Sequence, residues 1–235
     1  MEKETLEIIY QDDYLVAINK PHGLLVHRSW IAAQETVFAL QLLRDQIQKK
    51  VFPVHRLDRK TSGVLLFALD KETAKMMQEE FSQQRVSKKY IAIVRGFFPE
   101  KIEVDYPLTN DRNKKQDAIT FFQKIKTTEL ELPFGKYPTS RYSLIHAFPK
   151  TGRQHQIRKH LNHLRHPIIG DRPHGCNKQN RLFKEKWEMK TMLLHGKELR
   201  VKHPYSQKEL VLEAAFSKEF ERMMEILEFK DVQGF

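Results

Sequence analysis

The longest uninterrupted apolar run in the sequence, Val64 to Leu69, is six residues long, and that length constrains everything else the chain can build. It falls far short of the ~20 apolar residues a membrane-spanning helix needs. It suits a strand buried on both faces. The remaining apolar residues must then line one side of amphipathic elements, and they do so with both periods. Leu6 to Tyr10 and Tyr14 to Ile18 alternate around Gln11-Asp12-Asp13, the pattern of a hairpin. Asn19-Lys20-Pro21-His22-Gly23 reads as a turn. Residues 35–48 carry Val37, Leu40, Leu43 and Ile47 at helical spacing, and residues 71–84 place Ala74, Met77 and Phe81 on one stripe. Further strands are expected at residues 90–94, 118–125, 141–148, 192–201 and 210–214, with a polar connector at 111–117. Residues 154–164 and 217–228 read as helices, the second capped by Ser217. Strands and helices are mixed without strict alternation, which favours an α+β fold with a mixed, mostly antiparallel sheet flanked by helices and a central cleft.

Composition excludes several classes. With 40% apolar and 30% charged residues in 235, the chain is too apolar to be disordered. Its single cysteine, Cys176, can form neither an internal disulfide nor a cysteine-rich zinc cluster. The N-terminus carries acids where a secretory signal would be basic and then apolar, so a cytoplasmic protein is expected. The net charge of +11 is concentrated: residues 132–184 hold eleven Lys or Arg against one acid, Asp171, leaving the rest of the chain nearly neutral. Such a one-signed field attracts polyanions, nucleic acid above all.

The stretch richest in chemistry is His55-Arg56-Leu57-Asp58-Arg59-Lys60-Thr61-Ser62-Gly63, immediately before the buried run. Cations on both sides of Asp58 would hold it ionised and nucleophilic, although an Asp here can also cap a turn. This stretch resembles the signature of the large pseudouridine synthase family acting on ribosomal and transfer RNA. Other blocks agree in order: Asn19-Lys20-Pro21 with Gly23-Leu24 and Val26-His27; Lys88 with Tyr90, Ala92, Val94 and Gly96; Thr151-Gly152-Arg153 with His155-Gln156-Ile157-Arg158 and His160-Leu161; then Gly170-Asp171, Leu194-His195 and His203-Pro204. His174 stands where most relatives have Tyr, Gly196 where Ala is usual, and Ala214-Ala215-Phe216 where Ala-Pro is expected.

The resemblance implies the pseudouridine synthase fold as one catalytic domain over residues 1–235, two lobes sharing a sheet, without an additional N-terminal RNA-binding domain. It implies an isomerase with a tRNA substrate, most similar to the branch that modifies a T-stem uridine, with a ribosomal or different tRNA uridine as the alternative. It needs no cofactor, metal or membrane, and a monomer is expected. Asp58 is implied as the catalytic residue, acting as a nucleophile at C1′ or as a base at the 2′ position. Arg158 would keep Asp58 ionised, or else bind phosphate. Tyr90 would stack on uracil and take the C5 proton, or else be a buried strand aromatic. Arg56 would fill the space left by a flipped base, with His55 and Thr61 shaping the loop. Leu194, Lys150, Arg153 and Arg165 complete the candidate substrate-binding set. A zinc site among His155, His160, His163 and His166 lacks a partner at ligand spacing. A noncatalytic RNA-binding protein is the competing class.

Overall fold

The structure is a computed structural model that describes residues 5–27, 37–230 and 232. In chain order the elements are β1 (Glu7–Gln11), β2 (Leu15–Lys20), α1 (Ala39–Ile47), β3 (Phe52–Pro53), β4 (Ser62–Ala68), α2 (Lys71–Ser82), β5 (Ser87–Arg95), β6 (Lys101–Asp105), β7 (Leu108–Thr109), β8 (Lys115–Gln116), β9 (Ile119–Leu130), β10 (Ser140–Pro149), α3 (Gln156–His163), α4 (Asn177–Trp187), β11 (Leu194–Lys202), β12 (Glu209–Glu213) and α5 (Lys218–Ile226). They divide into two compact units, residues 1–88 with 196–215, and residues 89–195 with 216–235. The architecture is α+β, and the pairs β1–β2, β2–β4, β3–β4, β11–β12, β5–β10, β10–β9, β9–β6 and β7–β8 are antiparallel.

In the first unit the strand order is β1-β2-β4-β11, with β3 on β4 and β12 on β11. Five residues of the apolar run, Val64 to Ala68, lie within β4, whose seven residues are all buried. Val64, Leu66 and Ala68 pack with Leu15, Ala17, Met77, Leu199 and Leu212. The α2 stripe is held there by a good start: Asp70 Oδ1 accepts from the Thr73 N–H at 2.8 Å, a cap worth about 1 kcal/mol. The helix expected from residue 35 begins at Ala39, after Phe38 in extended conformation; residues 35 and 36 lie outside the described residues.

Gly63 opens β4 at φ +114°, and a Cβ there would sit 2.1 Å from the Gly196 carbonyl oxygen and 2.6 Å from its nitrogen. Both contacts are backbone, which cannot rotate away. A Gly63→Ala protein is therefore expected to lose about 3 kcal/mol from strain and overpacking together, read as a lower urea midpoint at unchanged slope. A loss under about 0.5 kcal/mol would show that the two strands separate easily there.

In the second unit the order is β5-β10-β9-β6. Successive residues of β5 point to opposite faces. Ile91 and Ile93 join Tyr142, Leu144, Phe183, Phe220 and Met223, so α4 and α5 cover that side. Ala92 and Val94 join Ile145, Ala147, Ile157 and Leu161, so α3 covers the other. Several elements depart from the sequence reading; β6, for one, is not among its strands. Residues 111–117 are not a plain connector, because β7 and β8 pair across them and Asn110 Oδ1 accepts from the N–H groups of Arg112 and Lys114. α4 was not anticipated at all: its first turn has no acid, and Cys176 before it makes no side-chain cap. Tertiary contacts hold it, with Phe183 edge-on to Tyr142 at 5.3 Å and Gln179 donating to the Tyr142 hydroxyl.

Candidate active site

In the first unit, the chain around Asp58 is fastened from below by a lysine. Lys20 is fully buried, and its Nζ donates to the carbonyls of Pro21, Leu24 and Arg59 at 2.9, 2.9 and 3.2 Å. Three acceptors match the three donors of an ammonium. Burial pulls its pKa down to about 7, and the charge of Asp58 opposes that fall. The same loop is cross-tied by the Gly23 N–H on the Arg59 carbonyl and by Arg59 Nε on the Gly23 carbonyl, at 2.9 and 3.0 Å. Asp58 itself is half-buried, its carbonyl accepting from the Thr61 N–H at 3.1 Å in a turn. Thr61 and Ser62 are buried beneath it, and Arg56 is exposed.

His55 is a structural member of this loop. Its Nε2 accepts from the Leu66 N–H at 3.0 Å, and its ring stacks on Phe81 at 4.7 Å. Burial, with Lys88 nearby, pulls its pKa to about 3, so the ring is neutral with its proton on Nδ1.

In the second unit, α3 carries Arg158 inward. Arg158 and Asp171 are only 4% and 1% exposed. They meet fork to fork, with Nε on Oδ2 at 2.7 Å and Nη2 on Oδ1 at 2.8 Å. Burial raises the Asp171 carboxyl, but the hydrogen bonds and charge of Arg158 outweigh it and hold the group below the ordinary carboxylate value. The loop bearing Asp171 is set by α4: Asn180 accepts from the Gly170 N–H at 2.9 Å and donates to the Asp171 carbonyl at 2.8 Å. The start of α3 is fixed by buried Gln156, which accepts from the Thr151 hydroxyl and the Arg153 N–H and donates to Ile119 and Thr120.

The other sequence candidates in this unit are spread out. Tyr90 is half-buried on β5 and packs against the α3 side of the core. Leu194 is buried in that same cluster. Arg153 Nε donates to the Asp117 carbonyl at 2.9 Å. Lys150 is engaged with Glu103 at 3.0 Å on the surface, and Arg165 is exposed. The histidines are employed separately. His160, fully buried rather than facing outward, bonds Thr120 and Tyr106; His163 stacks on Tyr106; His166 bonds the Arg95 carbonyl. No group of three or more metal-ligating side chains occurs among the described residues.

Lys20 and Asp171 lie within the matched blocks, and the structure rather than the sequence brings them to these loops. Both left a signal: Lys20 continues the period-two face of Val16 and Ile18, and Asp171 is the lone acid in the basic segment.

Residues 14–163 match the RNA pseudouridylate synthase family, and the chain belongs to it. It is 48% identical over 235 aligned positions to tRNA pseudouridine synthase C of Vibrio vulnificus, covering 95% of this chain and 96% of that one. It is 45% identical to the protein of that name from Salmonella typhimurium, covering 91% and 86%. The fold is similar to that of human RNA Pseudouridylate Synthase Domain Containing 4, with a TM-score of 0.73 at 26% identity over 94% of this chain and 93% of the other. Among the described residues no helix is long and apolar enough to cross a membrane.

Proposed function

We propose that the protein converts uridine to pseudouridine in tRNA, at the T-stem uridine, and acts alone as a monomer in the cytoplasm without a cofactor. Family membership together with near-full-length relatives named for tRNA is the observation that carries this reading. The reaction is an isomerisation: the N1–C1′ bond breaks, uracil turns, C5 bonds to C1′, and the C5 proton leaves as a proton reaches N1. It consumes no oxidant, reductant or second substrate.

A stem uridine must first leave the helix, at a cost of a few kcal/mol. Exposed Arg56 is assigned to the vacated stack, where a planar guanidinium can lie against bases. Asp58 works at the sugar, as nucleophile at C1′ or base at the 2′ position, on a loop fastened by the buried Lys20. Arg158 serves to keep that carboxylate ionised and oriented. Its guanidinium is already locked in one rotation by Asp171. Tyr90 is assigned to stack on the base and accept the C5 proton. His55 and Thr61 shape the loop, Leu194 supplies an apolar wall, and Lys150, Arg153 and Arg165 meet phosphates.

The test uses a tRNA transcript carrying tritium at C5 of uridine. Tritium should be released into water, without free uracil, and the modified residue should map to the T stem. Intact label disproves the activity, and free uracil shows a glycosylase. A mark outside the T stem overturns the target.

A further inference from the structure

Two histidines meet beside the buried Arg158–Asp171 pair, one from each side of it. His155 is the residue before α3, three positions before Arg158, and it holds a left-handed backbone at φ 55°. His174 lies three positions after Asp171, and its own N–H reaches Asp171 Oδ1 at 3.3 Å. The rings are hydrogen-bonded, His155 Nδ1 to His174 Nε2 at 2.9 Å. The start of α3 and the turn after Asp171 are thus tied twice, once by guanidinium and carboxylate and once by imidazole and imidazole. A non-glycine residue persists in the left-handed region only where its surroundings demand it. Here the backbone conformation delivers the His155 ring to its partner.

We infer that the His155–His174 pair is a positioning device for Arg158 in the isomerisation proposed above, on which this inference rests. The imidazole bond opposes sliding of α3 past the turn bearing Asp171, and so helps keep Arg158 seated on its carboxylate. Both rings are half-buried, so they reach solvent while fastening a buried pair. The bond needs one proton between the two facing nitrogens. A proton on each sets donor against donor and breaks it.

The groups around His174 resist that second proton. Burial lowers its pKa from 6.5, and Arg158 and Lys159 on α3 and His155 at its start act in the same direction, while Asp171 alone opposes them. With the His174 value below 6.5, both rings cannot be cationic until the pH falls through that lowered value, so the clamp is complete above pH 6.5 and is lost once His155 is protonated as well.

The experiment measures tRNA affinity and the single-turnover rate of the full chain against pH. His174→Phe, which cannot accept the bond, should reduce the rate about fivefold to tenfold, the worth of one hydrogen bond, with affinity unchanged. His174→Tyr, whose hydroxyl can take the bond, should restore most of the rate and remove the acid loss seen below pH 6.5 in the parent. A His174→Phe rate equal to the parent's, or a change in affinity alone, overturns the inference. If His174→Phe fails to fold, the His174→Tyr profile and the parent's imidazole nitrogen shifts decide: an unchanged acid loss, or rings titrating independently, would also overturn it. Failure of the parent to form pseudouridine would instead strike the proposed function.

Discussion

An Asp58→Asn protein should bind tRNA nearly as tightly as its parent and release almost no tritium from C5-labelled uridine, with the single-turnover rate down about a thousandfold or more. The two side chains have the same shape, so the turn closed by the Thr61 N–H on the Asp58 carbonyl has no reason to move. What changes is charge. A neutral carboxamide can neither attack C1′ nor draw a proton from the sugar, so both routes open to Asp58 are lost together. The buried Lys20 ammonium would also lose the attraction that offsets its burial, so its pKa should fall below about 7. Affinity resting on the cations of residues 132–184 would remain and would weaken steeply with salt in parent and variant alike. A rate within tenfold of the parent would remove Asp58 from the chemistry.

The parts of this fold legible in the sequence are those whose cause is local. β4 announces itself by an apolar run, α2 by its stripe, and α5 by Ser217, whose Oγ accepts from the Phe220 N–H at 3.2 Å. α4 has no comparable mark. Its residues 177–187 are mostly polar, and the buried pair Gln179 and Phe183 becomes meaningful only once Tyr142 stands opposite. The hairpin of β7 and β8 was hidden for a related reason: its closing residue, Asn110, directly precedes the polar stretch that read as a connector.

The candidate site divides the same way. Asp58 stands out in the sequence because it lies among the cations and turn residues of one short stretch, His55 to Gly63. The partner that Asp171 provides for Arg158 is thirteen residues away, across a loop that obeys no helical or strand period. The same holds for Lys20 beneath Arg59, thirty-nine positions apart. Net charge favours an anionic substrate, but it did not separate cations that meet solvent from those buried inside, Lys20 and, within the basic segment, Arg158.

That buried cation yields the largest expected loss of stability. Replacing Asp171 by Ala strands a guanidinium that is 4% exposed, and should cost about 3–5 kcal/mol of unfolding free energy, because the charge keeps its desolvation penalty and loses its partner. Asp171→Asn should fare little better, since an amide offers one acceptor where the fork needs two. Replacing both partners, Arg158→Met with Asp171→Leu, removes the penalty along with the bond and should recover most of the stability. Urea unfolding of the three proteins separates these outcomes, and a double variant as unstable as Asp171→Ala would show that the pair is needed for packing as well as for charge. The acid limb follows from the same balance. Asp171 is held below 3.8 in the folded protein, so its share of the stability is complete above 3.8 and is lost as pH falls through the lowered value. Stability and catalysis should then part company: the double variant is expected to fold and remain inactive, because an apolar pair can fill the space of Arg158 but lacks the guanidinium to which the proposed function gives a role.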